Sequence, residues 1–395
     1  MKKKLLFVIP SLRIGGAEKS FVNLLSELDH SKYDVDVFLL TQIGELIEVL
    51  PQEVKILSVD KKFEIFSSSF LFSVFTFLIK GKWTLAYYRL CFAMLNRREQ
   101  NPAICEQKSW KYLRHFFSNI PKEYDVAIGY LEKTSTYFVW DKVKAKNKIA
   151  WIHTDIEVAK LDLIREYENL QSFNHIVTVS ENLEEKLKII YPDFSYKITS
   201  IENIISVNAL KRLASETIPM PYTHEFFNVL YVGRIAKEKG LFNALEAIHI
   251  LIEKGYKIAW YLIGWGDQED LLKMKAKELN LEKNIHFLGA MSNPYPYLKN
   301  ADAFILPSFF EGKSIALEEA KLLEKPIVIT NFTTANSQII HQENGLIAEM
   351  TPESIAENLE ILIQNQSLRE RLAQNLKKTV KSNENEVLKF YKMID

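Results

Sequence analysis

The stretch AFILPSFFEGKSIALEEA, residues 303–320, decides how this chain is read. AFILPS (303–308) is a short apolar run of the kind that forms a buried strand, and Ser314 onward begins a helix. Glu311 stands just ahead of the helix start, and Glu319 about two turns inside it. Strand, loop and helix in succession form half of a βαβ unit, the repeat that builds a parallel sheet. An acid in a first helical turn is favoured by the helix dipole, and that bland reading suffices for Glu318. Glu311 and Glu319 ask for more.

Working outward, the same pattern recurs. The first half carries KLLFVIP (4–10), VDVFLL (35–40), VKILSV (54–59), DVAIGYL (125–131), KIAWIH (148–153) and HIVTVS (175–180). The second carries NVLYVGR (228–234), IAWYLIG (258–264), IHFLG (285–289), AFILPS, PIVIT (326–330) and GLIAE (345–349). Near-continuous apolar strands imply sheets buried on both faces, and the amphipathic stretches between them imply crossover helices. The two series predict an α/β chain of two Rossmann-like, doubly wound domains facing a central cleft. Residues 202–227, with Pro219 and Pro221 and no strong period, read as the hinge. The expected domains are 1–205, 206–375 and a C-terminal helix over 376–395 that can pack back on the first. Thr351–Pro352 places an N-cap and a first-position proline at a further helix start.

The chain has 395 residues, ordinary for two domains, and its 50 basic and 50 acidic side chains cancel. Bulk charge thus gives no argument for a nucleic-acid partner. Cys91 and Cys105 form neither a zinc pattern nor a disulfide framework, which suits a reducing cytoplasm. MKKKLLFVIP is basic then apolar but lacks a small-residue cleavage site, so it reads as a first strand rather than an export signal.

Ligands of open α/β sheets bind beyond the carboxyl ends of strands. There, Gly15 and Gly16 follow the first strand, where a backbone or phosphate can approach closely; a plain tight turn is the alternative. The pair is not GxGxxG, which disfavours a nicotinamide or flavin site. Arg234 and Lys239, in GRIAKEKG (233–240), can neutralise a diphosphate, one by a fork of donors and one as a point charge. Gly264 and Gly266 open another turn, where a donor can approach closely and where turn geometry alone is the alternative. Ser314 is small beside a helix N-terminus whose free N–H groups attract anions. GKS (312–314) resembles the end of a P-loop, but Pro307 stands where the first glycine of that motif is needed. His153 ends a strand, and HxD without a third ligand is no metal site. Residues 65–79 carry no charge, and residues 61–115 hold ten Lys/Arg against three Asp/Glu. A core helix pair and an element lying on an anionic membrane face both stay open for this segment.

E-x7-E (Glu311, Glu319), the GR…EKG element and the N-terminal GG loop together resemble the family-4 retaining glycosyltransferases of the GT-B fold. NPYPYLKNADAFILPSFFEG, WIHTD and VTVSENLEEKL resemble its bacterial surface-polysaccharide members. The resemblance implies a nucleotide-sugar donor, most often a UDP-sugar, and no metal or other cofactor. It implies that Arg234, Lys239 and the backbone around Ser314 and Ile315 hold the diphosphate, with Gly16 beside it. Glu311 would contact the transferred sugar, Glu319 the ribose, and His153 the donor sugar. The acceptor would be a glycan, often lipid-linked, and the sugar a hexosyl or N-acetylhexosaminyl group. The location would be cytoplasmic, with attachment to the inner membrane face the alternative. The usual EGFG or EGFP is EGKS here, so Lys313 replaces an aromatic residue and can add phosphate charge. Two other readings stay open: a UDP-sugar epimerase on the same scaffold, and a non-catalytic subunit that binds glycan or protein.

Overall fold

The computed structural model describes residues 2–218, 222–223, 225–379 and 385–395. The chain divides into two compact units, one of residues 1–13, 21–204 and 385–395, the other of residues 14–20 and 205–384.

The first unit holds a sheet of seven strands: β1 (Lys3–Ile9), β2 (Tyr33–Leu39), β3 (Lys55–Leu57), β4 (Tyr124–Gly129), β5 (Ala145–Ile152), β6 (His175–Thr178) and β7 (Ile198–Ser200). Their order is β3-β2-β1-β4-β5-β6-β7, and every pairing is parallel. Leu5–Ile9 of β1 are fully buried, as a central parallel strand covered on both faces must be. The stretch KLLFVIP is therefore strand, as its apolar run implied. One face is packed with aromatic rings: Phe38 stacks on Phe138 at 4.5 Å and Phe63 on Phe117 at 4.4 Å. The last helix, Glu386–Ile394, is counted with this unit. Its Tyr391 stacks on Tyr33 at 5.5 Å, and Tyr33 donates to Asp395 Oδ1 at 2.7 Å. Helix Gln366–Thr379, by contrast, is counted with the second unit, so the stretch 376–395 divides.

The second unit holds six strands: β8 (Phe227–Val232), β9 (Ile258–Ile263), β10 (Ile285–Gly289), β11 (Ala303–Leu306), β12 (Ile327–Thr330) and β13 (Leu346–Ala348). Their order is β10-β9-β8-β11-β12-β13, again all parallel. All twelve apolar runs are strands. β7, three residues long, was not expected. Residues 202–227 are not wholly irregular: Ser206 accepts the Ala209 N–H and caps a helix over Val207–Leu213. Pro219 and Pro221 lie outside the described residues.

In the first unit, the uncharged segment 65–79 divides by face rather than choosing one reading. Phe66 and Phe77 are buried, while Leu71, Phe72, Phe75 and Ile79 are exposed. Among the described residues, no helix is long and apolar enough to cross a membrane.

Candidate functional site

In the second unit, chain order reverses between β8 and β11: β9 and β10 lie to one side, β12 and β13 to the other. Loops leaving two such strands diverge and open a crevice. Arg234 and Lys239 follow β8, and Glu311 and Ser314 follow β11. Topology therefore puts the candidate cations and acids at one place in the fold. The two loops are tied by the Phe309 N–H, which donates to the Glu238 carbonyl at 2.9 Å. Gly240 turns the β8 loop into its helix at φ 62°, and a Cβ there would lie 2.0 Å from the Pro307 carbonyl oxygen.

Gly264, after β9, has a packing reason of its own. Its φ is 144°, and a Cβ would lie 1.8 Å from the Gly233 carbonyl oxygen. Backbone against backbone leaves nothing flexible to give way. Gly264→Ala is expected to destabilise the second unit by about 2–4 kcal/mol, read as a lowered melting temperature. A variant that melts with the wild type would show that the loop relaxes freely.

Glu311 is largely buried. Its Oε1 accepts from Lys239 Nζ at 2.6 Å and from Ser308 Oγ at 2.8 Å. The loop behind it is held by Thr334, whose Oγ1 donates to the carbonyls of Glu311 at 2.8 Å and Gly312 at 2.9 Å. Arg234 is more open: its guanidinium pairs with Glu238 at 2.8 Å, on the surface. An exposed pair of this kind is worth little, so Arg234 exchanges partners at small cost. Its carbonyl accepts from the Tyr231 hydroxyl at 2.7 Å. Burial, and then the Glu311 charge, hold that phenol well above its usual pKa, so it stays a donor.

Ser314 is the N-cap of helix Ile315–Leu322, its Oγ accepting from the Leu317 N–H at 3.4 Å. Its own N–H is taken by Gln338 Oε1 at 3.3 Å. The donors left to an anion are therefore the N–H groups of Ile315 and Ala316, the first two positions of the helix, rather than that of Ser314. Lys313 is half-buried beside them.

Glu319 falls in the second turn of this helix, nearer its start than the sequence spacing suggested, and has no exposed surface. Oε1 accepts from the Tyr295 hydroxyl at 2.8 Å, and Lys19 Nζ lies 3.3 Å from Oε1 and 3.2 Å from Oε2. Lys19 belongs to the segment Ile14–Ser20, counted with this unit together with Gly15 and Gly16. Gly16 opens helix Gly16–Glu27, and a Cβ there would meet the Ile315 side chain at 3.6 Å, an ordinary contact.

His153, in the first unit, follows β5. Its N–H donates to Glu132 Oε2 at 3.0 Å, and its ring packs on Tyr130 at 4.9 Å. Burial pulls the imidazole pKa down to about 3, so the ring is neutral at physiological pH. Its Nε2 is buried without a hydrogen-bond partner among the described residues.

Sequence reasoning missed Lys19, Tyr295, Ser308, Thr334 and Gln338. Tyr295 lay inside a stretch quoted for its resemblance, and Thr334 and Gln338 follow β12. Among the described residues, no group of three or more His, Cys, Asp or Glu is placed to hold a metal ion.

Residues 223–379 match the family of glycosyl transferases group 1. The capsular polysaccharide biosynthesis glycosyltransferase CapM of Staphylococcus aureus is 30% identical over 217 residues, which are 52% of this chain and 57% of CapM. An uncharacterized glycosyltransferase of Haemophilus influenzae is 28% identical over 232 residues, 56% of this chain and 61% of that protein. The matches thus span well under two thirds of these curated relatives' length, 57% and 61%. Among solved structures, HepE of Anabaena in complex with UDP-glucose aligns with a TM-score of 0.66 at 15% identity, covering 99% of this chain and 98% of that one. A variant of S. aureus TarM, in complex with fondaparinux, alpha-GlcNAc-glycerol and UDP, aligns at 0.66 and 14% identity over 100% of both chains. At such identities the likeness is one of fold, and the fold is GT-B.

Proposed function

We propose that this chain, whose residues 223–379 match the family of glycosyl transferases group 1, transfers a sugar from a UDP-sugar to a lipid-linked glycan, with retention at the anomeric carbon. The observation that carries the reading is the partly buried pair of Lys239 and Glu311 at 2.6 Å, set where β8 and β11 part.

Each group has a task. Arg234 and Lys239, with the N–H groups of Ile315 and Ala316, offset the diphosphate charge without a metal ion. Lys313 adds a cation beside them. Glu311 accepts from hydroxyls of the transferred sugar and holds Lys239 in position. Glu319 accepts from the ribose. Since Glu319 has no exposed surface, the ribose takes over acceptor positions that Lys19 now fills. The backbone of Gly15 and Gly16 takes a phosphate once the Glu18 carboxylate, whose Oε2 lies 2.2 Å from where a Cβ on Gly15 would sit, swings away, and the neutral Nε2 of His153 suits a sugar hydroxyl. In the reaction, the bond from the anomeric carbon to the β-phosphate oxygen breaks. The acceptor oxygen bonds to the same face of that carbon, and its proton passes to the leaving phosphate. Arg234 and Lys239 stabilise the charge that grows there.

The test is a thermal-shift screen of UDP, GDP, ADP and their sugars, with and without a chelator. A ligand at about 100 times its dissociation constant adds about 2.7 kcal/mol. Stabilisation by UDP compounds, chelator-insensitive and lost in Arg234→Ala, is expected. No response to any nucleotide would overturn the donor site, and conversion of a UDP-sugar without acceptor would favour an epimerase instead.

A further inference from the structure

Helix Phe70–Ile79 of the first unit turns Ser73 and Phe77 inward, and Phe77 packs on Phe116 at 5.5 Å. Its other side presents Leu71, Phe75 and Ile79, exposed by 78%, 64% and 69% and spaced one helical turn apart. Helix Trp83–Arg98 repeats the pattern. Trp83, 70% exposed, is followed by exposed Tyr87, Leu90 and Met94 on the same face, while Ala86 is buried. Among the described residues, nine of the 24 exposed large hydrophobic ones fall between Leu71 and Met94. Exposed apolar residues scattered singly mean nothing, but a contiguous face marks an interaction surface.

Charge selects the occupant. No Asp or Glu occurs from residue 65 to residue 98, whereas Lys80, Lys82, Arg89, Arg97 and Arg98 do. Arg89 is spent internally, its guanidinium 4.7 Å from the Phe66 ring and 5.3 Å from that of Phe70. The other four are exposed. Lys80 and Lys82 form the turn between the helices, flanked by Ile79 and Trp83. A second copy of the chain docking on this face would set lysine against lysine across a two-fold axis. The two helices, of 10 and 16 residues, are too short to span a bilayer but suit its interface.

We propose that the hairpin of residues 70–98 docks on the surface of an anionic phospholipid bilayer. The apolar face lies among the acyl-chain ends nearest the headgroups, and Lys80, Lys82, Arg97 and Arg98 pair with lipid phosphates. The surface adds to the proposed function, since a lipid-linked acceptor is met there, but lipid binding alone decides it.

The experiment is co-sedimentation of the full chain with phosphatidylcholine vesicles, with and without phosphatidylglycerol. Binding to the phosphatidylglycerol vesicles at low salt, weakened by added salt, is expected. The triple variant Phe72→Ser, Phe75→Ser, Trp83→Ser should lose about tenfold or more in partitioning. Lys80→Gln with Lys82→Gln, in an exposed turn where misfolding is not a concern, should weaken binding and flatten its salt dependence. UDP stabilisation is read on every variant. If UDP fails to stabilise the wild type while vesicles still bind, the donor reading falls and this one stands. No binding at low salt overturns the proposal, as does equal binding by the triple variant. A dimer that the triple variant dissolves, without vesicle binding, would reassign the face to a second copy.

Discussion

Glu311→Gln is expected to lower sugar transfer about 10²–10³-fold while leaving the protein folded. The carboxylate is largely buried, and its Oε1 takes hydrogen bonds from Lys239 and Ser308. The amide keeps the size of the side chain and one acceptor oxygen, so packing survives. Two electrostatic effects are lost together. Positive charge developing at the anomeric carbon no longer meets a carboxylate. Lys239 no longer has the charge that holds its ammonium at 2.6 Å, so it drifts from the place where leaving-phosphate charge appears. Both interactions strengthen as the glycosidic bond breaks. The loss should therefore appear in kcat, with a smaller change in KM. Steady-state transfer measured beside the UDP thermal shift separates the cases. Reduced transfer with UDP stabilisation intact is the expected pairing. Undiminished transfer would remove Glu311 from the reaction, and a loss confined to KM would make it a binding group only.

The strands were legible because a parallel sheet covered on both faces must be written in continuous apolar runs, and β1, β9 and β11 are written so. The three residues of β7, inside YKITSIEN, are too few to stand out from a loop. The helix Val207–Leu213 carried a readable signal, the cap Ser206, but it sat in a stretch judged by its prolines. What could not be read is neighbourhood. Nothing in the order of runs says that β8 lies between β9 and β11, and that placement brings Lys239 onto Glu311. Nor does local sequence reveal that Ser314 loses its N–H to Gln338, or that Thr334 fastens the Glu311 loop, because those partners lie 20 or more residues away. The uncharged segment 65–79 was ambiguous for another reason. Helix Phe70–Ile79 has eight apolar residues, broken only by Ser73 and Thr76, and no charged side to show which face is buried, so packing against Phe116 assigns it.

The acid deepest in the site makes the strongest case for separating structure from binding. Glu319→Ala is expected to do two things: abolish stabilisation by UDP and lower the melting temperature by roughly 10 °C. The second effect follows from what is left behind. Lys19 is 9% exposed, and its ammonium lies 3.2 Å from Glu319 Oε2. The Tyr295 hydroxyl, buried, donates to Oε1 at 2.8 Å. Alanine strands a cation and a hydroxyl in a site that water scarcely reaches, and breaking a buried pair in this way costs about 3–5 kcal/mol. Removing the stranded cation as well should return most of that loss. Lys19→Met in the Glu319→Ala background is therefore expected to melt several degrees above Glu319→Ala alone. The nucleotide response should not return, because no carboxylate remains to accept from the ribose hydroxyls. If the double variant recovers neither stability nor UDP binding, Lys19 is not the reason Glu319→Ala is unstable. If Glu319→Ala still responds fully to UDP, the ribose is held elsewhere, and the helix that begins at Ile315 serves the diphosphate alone.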